Sequence, residues 1–252
     1  EVLGNPDTPG IDVTMIVLDA GVDPDFAPAV LAEAEAIPDG IPDGEVRRRT
    51  DFRAVATFTM DGITAKDFDD ALSIERLDDG GWRLGVHIAD VAHYVGEGSA
   101  LDAEAYNRGT SIYPVDRVVP MLPEKLSNHL CSLKPGEDRL TLSCVMDIDS
   151  RGRVSEYAIH EGVIRSRHRL VYEDVQAFMD GRAAMTTIRE LGEIREQLDA
   201  LYELRGVLTE MRTRRGALDL DVTETEVVFD DDGAVKELAR RQRLGSHRLV
   251  EE

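Results

Sequence analysis

Asp61, Asp67, Asp69 and Asp70 fall within the stretch TFTMDGITAKDFDDAL. Carboxylates this close repel one another unless a cation holds them together. An oxygen-only cluster suits Mg²⁺, with Mn²⁺ as an alternative, rather than zinc. Two hard cations about 3.5–4 Å apart would activate a water and steady a leaving oxygen, which is two-metal phosphoryl-transfer chemistry. Aspartates also make solvated turns. Asp78-Asp79-Gly80, between two strand-like runs, and Asp230-Asp231-Asp232-Gly233, between VTETEVVF and AVKEL, both read as hairpin turns. No EF-hand spacing starts at the cluster. His87, His93, His129, His160, His168 and His247 show no zinc spacing and read as structural or surface residues. Asp90, Glu124 and Asn128 are further polar candidates, with an equal claim to core or turn roles.

The cluster needs elements to position it. Ala54 to Met60 and Ala71 to Leu77 read as strands. Adjacent Asp69 and Asp70 would point to opposite faces of a regular strand. For the carboxylates to converge, Gly62 to Phe68 must be irregular, and Gly62 gives that turn its freedom. A third strand is expected at 82–91. There Trp82, Leu84, Val86 and Ile88 alternate with Arg83, Gly85, His87 and Ala89, the period of a half-buried strand. A helix follows near 99–107, with Leu101, Ala105 and Tyr106 on one face. Pro114, Pro120 and Pro123 break regular structure and suit an ordered active-site loop. Two hairpin strands at 139–149 and 153–164 turn at Ser150-Arg151-Gly152, and helices are expected at 172–180 and 187–213. The layout is α+β.

Apolar residues make up 42% and charged residues 31%, enough for a substantial core. No apolar run of about 18 residues offers a transmembrane helix, so no membrane partner is expected. Cys131 and Cys144 are too few for a disulfide framework and read as reduced thiols of a cytoplasmic protein. The 50 acidic and 29 basic residues give a formal charge of −21, which by itself argues against a nucleic-acid partner. Basic runs at Arg47-Arg48-Arg49, Arg165 to Arg169, Arg212 to Arg215 and Arg240 to Arg243 read as solvated surface more readily than as RNA contacts.

The wider wording resembles the ribonuclease II/ribonuclease R family of processive 3′→5′ exoribonucleases. Thr59-Met60-Asp61, then Ala65-Lys66-Asp67-Phe68-Asp69-Asp70-Ala71, is similar to the opening signature of its RNB-type catalytic domain. GVHIADVAHYV, the block Asn107 to Ser143, EGVIRSRHRLVYEDV and SHRLVEE follow in family order, so the resemblance covers about residues 46–252. The wording is closer to ribonuclease R than to ribonuclease II. The resemblance implies a mixed/antiparallel sheet with helices, preceded by the tail of a β-barrel cold-shock/OB module. It implies hydrolysis of RNA from its 3′ end to 5′-nucleoside monophosphates, with Mg²⁺ (or Mn²⁺) on Asp61, Asp67, Asp69 and Asp70. Asp61 and Asp70 would hold one cation. Asp67 and Asp69 would serve the second and the attacking water, with Asp69 the least dispensable. Tyr113 falls on the family's aromatic that stacks on a base near the 3′ end. The implied partners are single-stranded RNA 3′ ends and the flanking cold-shock and S1 domains, in a monomer.

On the same basis residues 1–45 read as the end of a cold-shock-like module and a linker. Residues 46–252 read as the N-terminal part of the catalytic domain. Pro24 to Ile37 reads as a helix, IPDGIPDGEVRRRTDFR as an extended linker, and SHRLVEE as a helix start capped by Ser246. The chain reads as a piece of a longer protein. The family's arginine block, which contacts the scissile phosphate, would follow Glu252, so the isolated piece is expected to be weakly active or inactive. Two other readings use the same residues: a non-catalytic RNA-binding or degenerate family member, and an acidic interaction domain unrelated to RNA.

Overall fold

The structure is a computed structural model that describes residues 3–5, 8, 10–218, 224–230 and 235–251. In chain order its helices and strands are α1 (Ile11–Asp19), α2 (Pro28–Ala36), α3 (Asp43–Arg48), β1 (Thr50–Asp51), β2 (Phe58–Asp61), β3 (Asp70–Arg76), β4 (Trp82–Ala89), α4 (Ala100–Arg108), β5 (Asp138–Ile148), β6 (Val154–Arg165), β7 (His168–Val171), α5 (Tyr172–Met179), α6 (Met185–Gly192), α7 (Arg195–Arg214), β8 (Glu224–Phe229), β9 (Val235–Arg241) and α8 (Arg248–Glu251). The chain divides into two units. One comprises Glu1–Pro38, Tyr94–Ser127 and Leu220–Gln242; the other comprises Asp39–His93, Asn128–Asp219 and Arg243–Glu252.

The second unit holds the aspartates. Its seven-stranded sheet runs β1-β6-β5-β4-β3-β2-β7. β2 lies antiparallel to β3 and parallel to β7, and β1 lies parallel to β6; the remaining pairs are antiparallel, so the sheet is mixed. Phe58, Met60, Leu72, Ile74, Trp82 and Leu170 form one apolar face, packed under Val175 and Phe178 of α5 and Leu198, Leu201 and Leu204 of α7. The Asp78-Asp79-Gly80 turn joins β3 to β4 as expected, with Gly80 at φ 82°. Gly152 at φ 82° and Asp149, which accepts from the Arg151 and Arg153 amides, close the β5–β6 hairpin.

The opposite face is not solvent. His87 is 1% exposed and Gly85 and Ala89 are also buried, whereas Ile88 is 46% exposed. The half-buried reading of β4 is therefore corrected. The strand is central, and both its faces are covered along much of its length. The buried second face is built from hydroxyls and an imidazole. His87 Nε2 lies 3.0 Å from Ser73 Oγ, its Nδ1 lies 2.8 Å from Ser143 Oγ, and Ser143 Oγ lies 2.8 Å from Thr141 Oγ1.

Other boundaries also moved. The segment expected to be an extended linker holds α3, with Asp43 and Glu45 in its first turn and Arg47 and Arg48 in its last. Those charges oppose the helix dipole, and Glu45 pairs with Arg48 and Arg49 one turn on. The single helix expected at 187–213 is two, broken at Ile194 (φ −117°, ψ 20°). β2 begins only at Phe58. Ser246 does not cap α8 with its hydroxyl. It donates to the Tyr172 carbonyl at 2.8 Å, tying the segment to α5.

In the first unit, α2 starts at Pro28 in the N1 position, four residues later than expected. Glu33 of α2 accepts from the amides of Ala100 and Leu101 at the start of α4, where Ser99 accepts from Asp102. Leu101 and Ala105 are buried but Tyr106 is 87% exposed, so it does not share their face. Tyr106 lies five residues after Leu101, a turn of about 140° around the helix. None of the described residues before Thr50 forms a strand; α1, α2 and α3 stand there. β8 and β9 pair antiparallel as expected, but the Asp231 to Gly233 part of the turn between them lies outside the described residues.

Candidate active site

Antiparallel pairing of β2 with β3 brings the end of one and the start of the other to the same edge, so Asp61 and Asp70 flank a single connection. That connection, Gly62 to Asp69, has no regular structure, as the aspartate spacing required. The pleat separates the two strand-borne residues. Asp61 shares the face of Thr57 and Thr59, and Asp70 shares the face of Leu72 and Ile74.

The irregular connection is tied down from three elements distant in sequence. Ser132 Oγ donates to the Lys66 carbonyl at 2.7 Å and accepts from the Phe68 amide at 3.2 Å. The Leu133 amide donates to the Phe68 carbonyl, and the Ala89 amide donates to the Asp69 carbonyl, each at 2.9 Å. Arg169 Nη2 donates to the carbonyls of Gly62 (2.6 Å) and Ile63 (2.9 Å), and its guanidinium lies 5.5 Å from the Phe68 ring. Phe68 itself is buried and anchors the loop midway between Asp67 and Asp69.

The carboxylates feel one another. Burial first, and then the charge of Asp70, push Asp61 up to about 7; Arg169 opposes the shift, and Asp67 and Asp69 add to it. Asp69 is pushed up to about 6, again by burial first and then by Asp67 and Asp70. It keeps a solvent-exposed surface at the rim, while protein crowds the carboxyl from within. Burial also raises Asp70. Asp61 Oδ2 is buried without a hydrogen-bond partner. Crowded, partly desolvated carboxylates with an orphaned oxygen match the donor chemistry of a hard divalent cation. Among the described residues, however, no group of three His, Cys, Asp or Glu side chains is arranged to hold a metal ion. The donor set fits a hard divalent cation in its chemistry.

Tyr113 belongs to the other unit. It is 64% exposed and follows Ile112, whose backbone exchanges hydrogen bonds with Val119 across the proline-bounded loop. Asp90 is no turn residue: it is buried and ion-paired with Arg49 at 2.6 Å. Cys131 is buried, which lifts its thiol to about 12, in keeping with an inert structural cysteine.

Two residues that position the loop, Ser132 and Arg169, escaped sequence reasoning. Arg169 lay in a basic run read as surface. Arg165 and Arg167 are exposed as that reading has them, pairing with Asp138 and the Ala54 carbonyl, whereas Arg169 is half-buried and holds the loop. Only the family wording around them could have flagged either residue.

The RNB domain family matches residues 49–252. Ribonuclease R 1 of Lactococcus lactis is 44% identical over 251 residues, covering 100% of this chain and 30% of the relative. Ribonuclease R of Thermotoga maritima is 44% identical over 255 residues, covering 100% of this chain and 36% of the relative. The chain thus spans about a third of the length of the curated relatives it matches. Among solved structures, Mycoplasma genitalium RNase R with ribose-methylated single-stranded RNA superposes with a TM-score of 0.92 at 32% identity, over 100% of this chain and 38% of that one. The same enzyme with double-stranded RNA gives 0.90 at 32% identity, over 100% and 44%. Yeast Ssd1, described as a pseudonuclease, gives 0.72 at 19% identity over 99% and 30%, a likeness of fold alone.

Proposed function

Because this chain belongs to the RNB-domain family, we propose that it is the metal- and substrate-holding part of a processive 3′→5′ exoribonuclease. One observation carries the reading: Asp67 and Asp69 on one tied-down connection with Asp61 and Asp70 flanking it, where burial and then neighbouring carboxylates raise Asp61 and Asp69, and burial raises Asp70. A strongly perturbed carboxylate cluster is a mark of a functional site.

In this proposal Asp61 and Asp70 hold one Mg²⁺ (or Mn²⁺), and Asp67 and Asp69 hold the second and orient the attacking water. Bound cations there supply Lewis acidity toward the phosphodiester and offset the four carboxylate charges. The chain's own work is positional. Ser132, Leu133, Ala89 and Arg169 fix the loop backbone. Tyr113 offers an exposed ring for stacking on a base, a contact that tolerates any sequence. The same reading makes the protein a cytoplasmic monomer acting on RNA 3′ ends, with cold-shock and S1 domains as companions in the longer chain.

The test is a labelled-RNA assay on the full-length protein with Mg²⁺ or EDTA, beside Asp69→Asn. Stepwise release of 5′-mononucleotides, lost with EDTA and with the variant while RNA is still bound, is the expected result. A second reading, a non-catalytic RNA-binding family member, draws on there being, among the described residues, no three His, Cys, Asp or Glu side chains arranged to hold a metal ion. RNA binding without hydrolysis by the folded, cation-loaded wild type would decide for it.

A further inference from the structure

We propose that Ser132 is the positioning residue of the aspartate site, acting on the cations through the loop backbone without touching them. The inference rests on the proposed function above.

Its single hydroxyl bridges both sides of Asp67, donating to the Lys66 carbonyl and accepting from the Phe68 amide. The next amide, that of Leu133, holds the Phe68 carbonyl, so a two-residue rung at 132–133 pairs with the segment from 66 to 68. Asp67 and Asp69 therefore leave a backbone fixed on each side of Phe68. The rung is itself held from behind. Buried Arg139 donates through Nε to the Ser132 carbonyl at 2.8 Å. Ser132 and Leu133 are both fully buried. The loop has no strand or helix of its own; Ala89 holds its end at Asp69 and Arg169 its start at Gly62 and Ile63, and Ser132 with Leu133 holds the stretch between, around Asp67. Groups that orient a metal's ligands typically control affinity or rate by on the order of 10- to 100-fold.

The experiment is a Mn²⁺ titration followed by electron paramagnetic resonance on the full-length protein, with thermal unfolding and RNA-hydrolysis kinetics in parallel. Ser132→Ala should unfold cooperatively, bind Mn²⁺ weaker by on the order of 10- to 100-fold, and lose kcat to a similar degree with KM for RNA unchanged. Ser132→Thr, which keeps the hydroxyl, should restore both. Unchanged Mn²⁺ affinity in Ser132→Ala overturns the inference. If that variant does not fold, Ser132→Cys keeps the volume with a far weaker hydrogen bond. Wild-type affinity in the cysteine variant, or failure of it to fold as well, makes Ser132 a residue of the fold alone and overturns the inference. Asp69→Asn separates the two ideas: if it binds Mn²⁺ as the wild type does, the metal reading itself fails, whatever Ser132 does.

Discussion

Arg49 and Asp90 form an ion pair at 2.6 Å in which the arginine side chain is 1% and the aspartate 7% exposed. Glu45 of α3 shares the same guanidinium at 2.6 Å, and the two hydrogen bonds hold Arg49 above its ordinary pKa although burial acts the other way. The Asp90 amide donates to the Leu140 carbonyl, and the preceding Ala89 amide donates to Asp69. The pair therefore joins α3 and the end of β4 to the strand edge beside the aspartate loop.

Removing Arg49 strands the buried Asp90 carboxylate, whereas removing Asp90 leaves Arg49 with Glu45. Arg49→Leu should cost about 3–5 kcal/mol, Asp90→Leu less, and the double replacement clearly less than the sum. Urea unfolding of the three variants checks this; additive losses would mean that the pair is not coupled.

His87 gives the fold an acid-sensitive step. Burial lowers its pKa from 6.5 to about 4, so the folded protein keeps the ring neutral while the unfolded chain takes up a proton. Between those values the unfolded state binds more protons, and stability falls as pH falls, by about 3 kcal/mol in all. The stability is fully present above pH 6.5. A protonated ring would also have to donate from both nitrogens to Ser73 and Ser143. The raised Asp61 and Asp69 act in the opposite sense, since burial first and neighbouring carboxylates second favour their protonated forms in the folded state. The His87→Gln variant, subtracted from wild type across pH 4–7, isolates the histidine. Parallel stability curves would refute its role.

Gly85 leaves room for that histidine. A Cβ there would fall on the Ser73 hydroxyl and within 2.8 Å of His87 Nε2. Gly85→Ala should lose about 1–3 kcal/mol in chemical denaturation. Gly206, inside α7 with open space around it, is the control of opposite sign: Gly206→Ala should gain about 0.5–1 kcal/mol. A Gly85→Ala protein as stable as wild type would show that the polar face is not close-packed.

Tyr113 presents its ring to solvent. If it stacks on RNA, Tyr113→Ala in the full-length protein should weaken single-stranded RNA binding by about 1–3 kcal/mol, with Tyr113→Phe close to wild type. Binding by fluorescence anisotropy measures both. Equal affinities would return Tyr113 to an ordinary surface aromatic.

The reach of sequence reading follows the range of the interactions involved. Short-range signals were legible. Asp78-Asp79-Gly80 and Ser150-Arg151-Gly152 turned where expected, because turn chemistry is local. The aspartate spacing demanded an irregular Gly62 to Phe68, and that stretch is irregular. The ordered blocks of family wording led to the matched family.

What the tertiary structure alone decided came from contacts between distant residues. Periodicity could say that β4 alternates, but which of its faces meets α7 and which meets Ser143 depends on strand order, so His87 went inside and Ile88 outward. Local charge could not say that the basic run ending in Arg169 would turn back on Gly62, 107 residues away, or that Ser132 would reach Lys66, 66 residues away. An irregular loop carries no pattern of its own. Its path is written in the hydrogen bonds its backbone must find, and those partners exist only once the sheet has closed around it.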